Sequence, residues 1–239
     1  MIHIQQVSKY FGSKMAVKDL SLEVKSGEVF AFLGPNGAGK TTTIKMMVGL
    51  LQPSQGTIHI NSFSMKDQYL QAKESLAYVP DQPYLYDKLS GRELLEFVGR
   101  MYNMTEEKIQ EKIQTMIELF ELKEYIDSLC ESYSHGMKQR VVFSSALLHS
   151  PKVLILDEPM VGLDPKSARI VKNIVKEQAA LGTTVFMSTH SLEVAEETAT
   201  RIGIIHGGQL IVLGTLLELR EKLQGKDRLE DIFLELTNQ

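Results

Sequence analysis

Residues Gly34-Pro35-Asn36-Gly37-Ala38-Gly39-Lys40-Thr41 meet the pattern G-x-x-x-x-G-K-[ST] at every fixed position. Glycines let a backbone curl until several N–H groups converge on phosphate oxygens. A helix opening at Thr41 adds the positive end of its dipole. In such a loop Lys40 is placed for the β- and γ-phosphates of a nucleoside triphosphate. The Thr41 hydroxyl is placed for Mg²⁺, with Thr42 following it into the helix. The rival dinucleotide fingerprint fails, because Thr42 stands where its third glycine belongs.

A second constellation lies far along the chain. Val153-Leu154-Ile155-Leu156 is an apolar run that ends in Asp157-Glu158. The carboxyl ends of parallel strands are where ligands sit in open α/β sheets. There Asp157 can hold Mg²⁺ directly or through water, and Glu158 can orient and deprotonate an attacking water. Taken alone the pair also reads as a solvated strand end; the phosphate loop upstream favours chemistry.

The elements that must position these groups follow from hydrophobic pattern. Ile2 to Val7 and Leu20 to Val24 alternate apolar and polar, as half-buried strands do. Val29 to Leu33, Val153 to Leu156, Thr184 to Met187 and Ile202 to Ile205 are continuous apolar runs, as in strands buried on both faces of a parallel sheet. Thr57 to Ile60 and Ser75 to Val79 read as further strands. Helices are predicted over Thr41–Leu51, Pro165–Ala180, Leu192–Thr200, Leu216–Leu223 and Leu229–Leu236, and Gly207-Gly208 signals a hairpin. Between Tyr84 and Ser150 no strand pattern occurs. Ser90-Gly91-Arg92-Glu93 is a capping box there, and Thr105-Glu106-Glu107 opens another helix. The order predicts a doubly wound α/β core with a helical subdomain inserted over residues 84–150, in a single domain spanning 1–239.

Composition bounds the partners. Lys+Arg 26 against Asp+Glu 30 leaves a formal net charge of −4, and no dense basic run is present. That argues against nucleic acid, whose binding rests on clustered cations. Cys130 is the single cysteine, which excludes an intrachain disulfide and a cysteine-rich zinc site. No stretch approaches the roughly 20 apolar residues of a membrane span, and MIHIQQVSKYF has no signal-peptide pattern. The expected location is the cytoplasm, with any membrane link made through a partner.

Tyr133-Ser134-His135-Gly136-Met137, followed by Lys138-Gln139-Arg140, lies shortly before the acid strand. It resembles the L-S-G-G-Q signature of ATP-binding cassette (ABC) proteins. Ser134 and Gly136 match; Tyr133, His135 and Met137 depart. Motif order and spacing resemble the nucleotide-binding subunit of an ABC transporter over essentially the whole chain. The departures at His135 and Met137, with the short C-terminal segment Leu229-Glu230-Asp231-Ile232-Phe233-Leu234-Glu235-Leu236-Thr237, resemble the exporter-type branch.

The resemblance implies a P-loop NTPase (RecA-like) core with an N-terminal antiparallel β region, binding ATP and Mg²⁺. It implies Phe11 stacked on adenine, with Tyr10 as a substitute, and a switch histidine at His190 touching the γ-phosphate. Gly162-Leu163-Asp164 resembles the loop that crosses to a second subunit, while Asp164 before Pro165 is equally a helix cap. Ser134, Gly136 and Met137 are implied to serve the nucleotide of a second copy or a paralogous subunit, head to tail. The family places Gln after Tyr-x-Pro as a metal sensor. Here Tyr78-Val79-Pro80 is followed by Asp81 and then Gln82, and either can fill the position, unless Pro80 to Pro83 is a plain turn. The implied activity is Mg-dependent ATP hydrolysis powering a separate membrane permease, the subunit lying on the inner face of the cell membrane. The alternative is a non-transport relative acting on ribosomes or DNA. Those usually carry paired cassettes or coiled-coil insertions, and neither is seen.

Overall fold

The computed structural model describes residues 1–222. The helix expected over Leu229–Leu236 lies outside them. A six-stranded sheet forms the centre. It contains β3 (Val29–Leu33), β6 (Leu76–Val79), β7 (Val153–Asp157), β8 (Thr184–Thr189), β9 (Arg201–His206) and β10 (Gln209–Gly214), in the order β10-β9-β3-β8-β7-β6. All neighbours are parallel except β9 and β10, which form the hairpin signalled by Gly207-Gly208. A separate antiparallel sheet, in the order β2-β1-β4-β5, comes from β1 (Ile2–Phe11), β2 (Lys14–Val24), β4 (Gln55–Ile60) and β5 (Phe63–Ser64).

Every residue of β3, β7 and β8 is buried, because the sheet is covered on both faces. Alternation sends their side chains to two cores. Phe30, Phe32, Ile155 and Phe186 face the antiparallel sheet and α1 (Lys40–Met47). There Phe186 lies 5.6 Å from Phe30 and 5.4 Å from Phe32, centroid to centroid. Each such ring removes enough apolar surface from water to contribute roughly 2–3 kcal/mol. Ala31, Leu33, Leu154, Leu156 and Met187 face the other way, against the helices.

Those helices are α3 (Gly91–Met101), α4 (Glu106–Leu119) and α5 (His135–Leu147), all between β6 and β7, then α6 (Pro165–Ala180), α7 (Leu192–Thr198) and α8 (Leu216–Lys222). The capping box forms at α3, with Ser90 accepting from the Glu93 N–H and the Glu93 carboxylate accepting from the Ser90 N–H. Thr105 caps α4, and Ile109, Ile113, Met116 and Ile117 turn its apolar stripe inward.

Several expectations shift. The first two strands run on to Phe11 and back from Lys14, turning at Gly12, whose φ is +58°. Polar exposed residues there, such as Tyr10 and Lys14, hide the strand pattern because backbone pairing alone sustains it. Helix α1 stops at Met47 rather than Leu51, broken by Gly49 at φ +72°. The short β5 and α2 (Tyr69–Glu74) carry too few residues to show a period. Helix α7 ends at Thr198, not Thr200.

Candidate active site

Strands β3, β8 and β7 are parallel neighbours, so their carboxyl ends bring three loops together. The first is the phosphate loop. Gly37 and Gly39 adopt φ of +81° and +109°, conformations that let successive N–H groups converge on an anion. A Cβ at Gly34 would stand 2.5 Å from the Ile205 carbonyl oxygen, and one at Gly39 2.7 Å from that of Ala16. Neighbouring backbone thus demands glycine at both points. The β9–β10 turn braces the loop from behind, with the Gly208 N–H donating to Ala38 O at 3.0 Å.

Lys40 is 6% exposed and its ammonium is curled into the loop. Nζ donates to Gly34 O at 2.7 Å and Pro35 O at 3.3 Å. It also meets Glu158 Oε1 at 3.3 Å, an ion pair in which that oxygen has no aligned hydrogen bond. The other oxygen, Oε2, accepts from His190 Nδ1 at 2.9 Å and from the His190 N–H at 3.3 Å. The carboxylate of Glu158 therefore sits between the loop cation and the imidazole that follows β8.

Asp157 is fully buried. Its Oδ1 accepts from Ser188 Oγ at 2.6 Å and Thr41 Oγ1 at 3.4 Å, while Oδ2 has no hydrogen-bond partner. Burial raises its pKa; the bonds from Ser188 and Thr41 oppose this, and the charges of Asp81 and Glu158 add to it. A buried carboxylate oxygen without a donor is costly unless a cation completes it. An all-oxygen set of Asp157 and the Thr41 hydroxyl suits a hard divalent ion such as Mg²⁺.

An open cleft of about 660 Å³ runs over the loop, its walls including Phe11, Asn36, Lys40, Thr41, Asp81 and Glu158. Phe11 is 48% exposed, with the Lys9 ammonium 5.3 Å from its ring centre. Tyr10, one residue earlier on the strand, does not line the cleft. Asp81 lines it; Gln82 does not. Ser134, Gly136, Met137 and Asp164 are also absent from its walls. Ser134 caps α5, accepting from the Met137 N–H at 3.3 Å. Asp164 caps α6 at 3.0 Å from the N–H groups of both Lys166 and Ser167. These residues gather at a second place, where a Cβ on Gly136 would be 3.3 Å from Asp164 Oδ2.

Two contributions escape the sequence. Ser188 holds Asp157 and also accepts from the Glu158 N–H at 3.1 Å; a serine at a strand end has no signal of its own. Lys14, Met15 and Ala16 form part of the cleft wall because the β1–β2 hairpin reaches further than its alternation.

The model of the family described as ABC transporter matches residues 17–161, more than half of the chain. The chain belongs to the ABC transporter family. An ATP-binding protein for SkfA peptide export, SkfE of Bacillus subtilis (strain 168), is 39% identical over 88% of this chain and 87% of its own. A solved ATP-binding subunit of an ABC transporter superposes with a TM-score of 0.93 at 32% identity, covering 99% of each chain. A dimeric ATP-binding cassette, in a post-hydrolysis state with ADP and Pi bound, gives 0.82 at 25% identity over 90% of this chain and 99% of that one. The chain is thus an ATP-binding ABC cassette of the transporter type, with the ATPase activity of that family. Among the described residues no helix is long and apolar enough to cross a membrane.

Proposed function

We propose that this cassette hydrolyses ATP to drive export through a separate membrane permease, working as a head-to-tail dimer. The observation that carries the chemistry is the Glu158 carboxylate held between Lys40 and His190 at the mouth of the phosphate loop. An arriving triphosphate offers Lys40 better acceptors than the Gly34 and Pro35 carbonyls. The ammonium turns to the β- and γ-phosphates, and Glu158 is released from it. The freed carboxylate takes a proton from water as the water attacks the γ-phosphorus, whose bond to the β–γ bridging oxygen breaks, leaving inorganic phosphate and ADP with the electron pair on its terminal oxygen. His190 Nδ1–H keeps that carboxylate aimed, and its position beside the γ-phosphate senses whether the phosphate is present. Phe11 carries the adenine ring by stacking. Thr41, Asp157 and Asp81 would hold Mg²⁺, whose charge offsets that of the phosphates.

Ser134, Gly136, Met137 and Asp164 lie together away from their own chain's cleft, which supports their serving a second chain's nucleotide. SkfE is named for peptide export, which supports the direction. Residues 84–150 would act as the helical unit that passes the motion to the permease, starting from Asp81 on the cleft wall. Tagged chain, purified from its native membranes in mild detergent, should carry a polytopic membrane protein with it. ATP turnover should be present and should vanish in Lys40→Ala. Turnover that persists in that variant, or a chain that leaves every membrane protein behind, refutes the corresponding half of the reading.

A further inference from the structure

His135 departs from the family signature, and the function above gives it no task. It is the first residue of α5 and is exposed to solvent. Its Nε2 lies 3.4 Å from the carbonyl oxygen of Val161, in the loop that follows the acid strand. The imidazole also lies against Gly162: a Cβ there would be 3.0 Å from Nε2 and 3.2 Å from Cδ2. Gly162 has φ +73°, a backbone conformation that favours glycine. Val161 is tied at its other end as well, its N–H donating to Glu158 O at 3.2 Å. A short path of contacts thus leads from the imidazole, through Val161, to the backbone of Glu158. That backbone is itself in the left-handed region, at φ +47°, a conformation that a non-glycine residue keeps only when its surroundings hold it.

We propose that His135 is a positioning residue that clamps the loop after the acid strand to the signature turn of the same chain, and so holds Glu158 in its working conformation. The proton must sit on Nε2, since a carbonyl only accepts. The clamp ties the loop carrying Asp164 to the turn carrying Ser134 and Gly136, so the surface offered to a second chain and the base of its own site move as one body. This role rests on the hydrolase reading for its effect on turnover, but the clamp itself does not.

The test compares His135→Ala, His135→Asn and His135→Gln in the full chain. The amide nitrogen of Gln reaches about where Nε2 stands; that of Asn is too short and mimics Nδ1. Hydrogen exchange of the nucleotide-free protein reads the clamp directly. The Ala and Asn variants should exchange about fivefold faster over Met160 to Asp164, the size of one neutral hydrogen bond, and the Gln variant should match wild type. ATP turnover should follow the same order, with kcat falling about fivefold and KM for ATP within about twofold, since the phosphate loop is untouched. Wild-type exchange in His135→Ala overturns the clamp, as does equal impairment of the Asn and Gln variants. A wild-type chain without ATP turnover overturns the hydrolase reading instead, and the exchange data still decide the clamp.

Discussion

Glu158 combines three constraints within one residue: a left-handed backbone, an ion pair to Lys40 at 3.3 Å and a hydrogen bond from His190 at 2.9 Å. An amide of the same shape keeps the packing but cannot take a proton. Glu158→Gln should therefore bind ATP and hydrolyse it about 10²–10⁴-fold more slowly, the usual weight of a positioned base. Because ATP then persists, the variant should elute as a dimer in size-exclusion chromatography with ATP and as a monomer without it. A monomeric variant with wild-type turnover would remove Glu158 from the base role. The neighbouring Asp157 illustrates what chemistry at a strand end requires. Its burial raises its pKa, and Ser188 and Thr41 work against that rise. These bonds favour the charged form of a carboxylate that burial otherwise disfavours.

At the scale of elements, the junction of α3, α5 and β6 is closed by His149. Its ring stacks on Tyr102 at 3.7 Å with an interplanar angle of 9°, and Nε2 donates to Leu76 O at 3.3 Å. Burial lowers its pKa from 6.5 to about 4, only partly offset by the Leu76 carbonyl. The unfolded chain therefore takes up a proton near pH 6.5 that the folded chain refuses until about pH 4. Stability from this group is complete above 6.5 and declines as pH falls toward 4, with about 2 kcal/mol gone at pH 5. His149→Phe keeps the stacked ring and removes the titration. Melting temperatures at pH 7 and pH 5 should show a smaller drop for the variant than for wild type. Equal drops would mean that His149 takes no part in the acid sensitivity. The caps at Ser90, Thr105, Ser134 and Asp164 all form as their residue types dictate. Helix starts depend on local hydrogen bonds, and a local pattern suffices to reveal them.

At the scale of the molecule, the phosphate-loop cleft and the cluster of Gly136 with Asp164 lie at separate places on the chain, and the reading above makes each one half of a shared nucleotide site. If each is completed by a partner, a chain with both Lys40→Ala and Ser134→Arg poisons a wild-type one. In the mixed dimer one site has a dead phosphate loop and the other a dead signature. With a threefold excess of the double mutant and random pairing, activity per wild-type chain should fall to about a quarter. Activity that holds steady, with exchange between dimers verified, would place Ser134 and Lys40 on the same nucleotide.

The sequence by itself determined the phosphate loop, the acid pair, the strand–helix alternation and the helical run before β7. Each of these is a local pattern: glycine spacing, a buried run ending in charge, a helical period. It could not choose between Asp81 and Gln82, because a turn of Pro80 to Pro83 carries no period that says which side chain points inward. Nor could it join Ser188 to Asp157 or His135 to Val161, residues separated by 31 and 26 positions. Those contacts exist because β7 and β8 pair in parallel, with Asp157 opposite Ser188, and because the α5 turn rests on the loop between β7 and α6. Only tertiary packing sets that register, since long-range partners are chosen by which buried faces fit together rather than by any neighbouring residue.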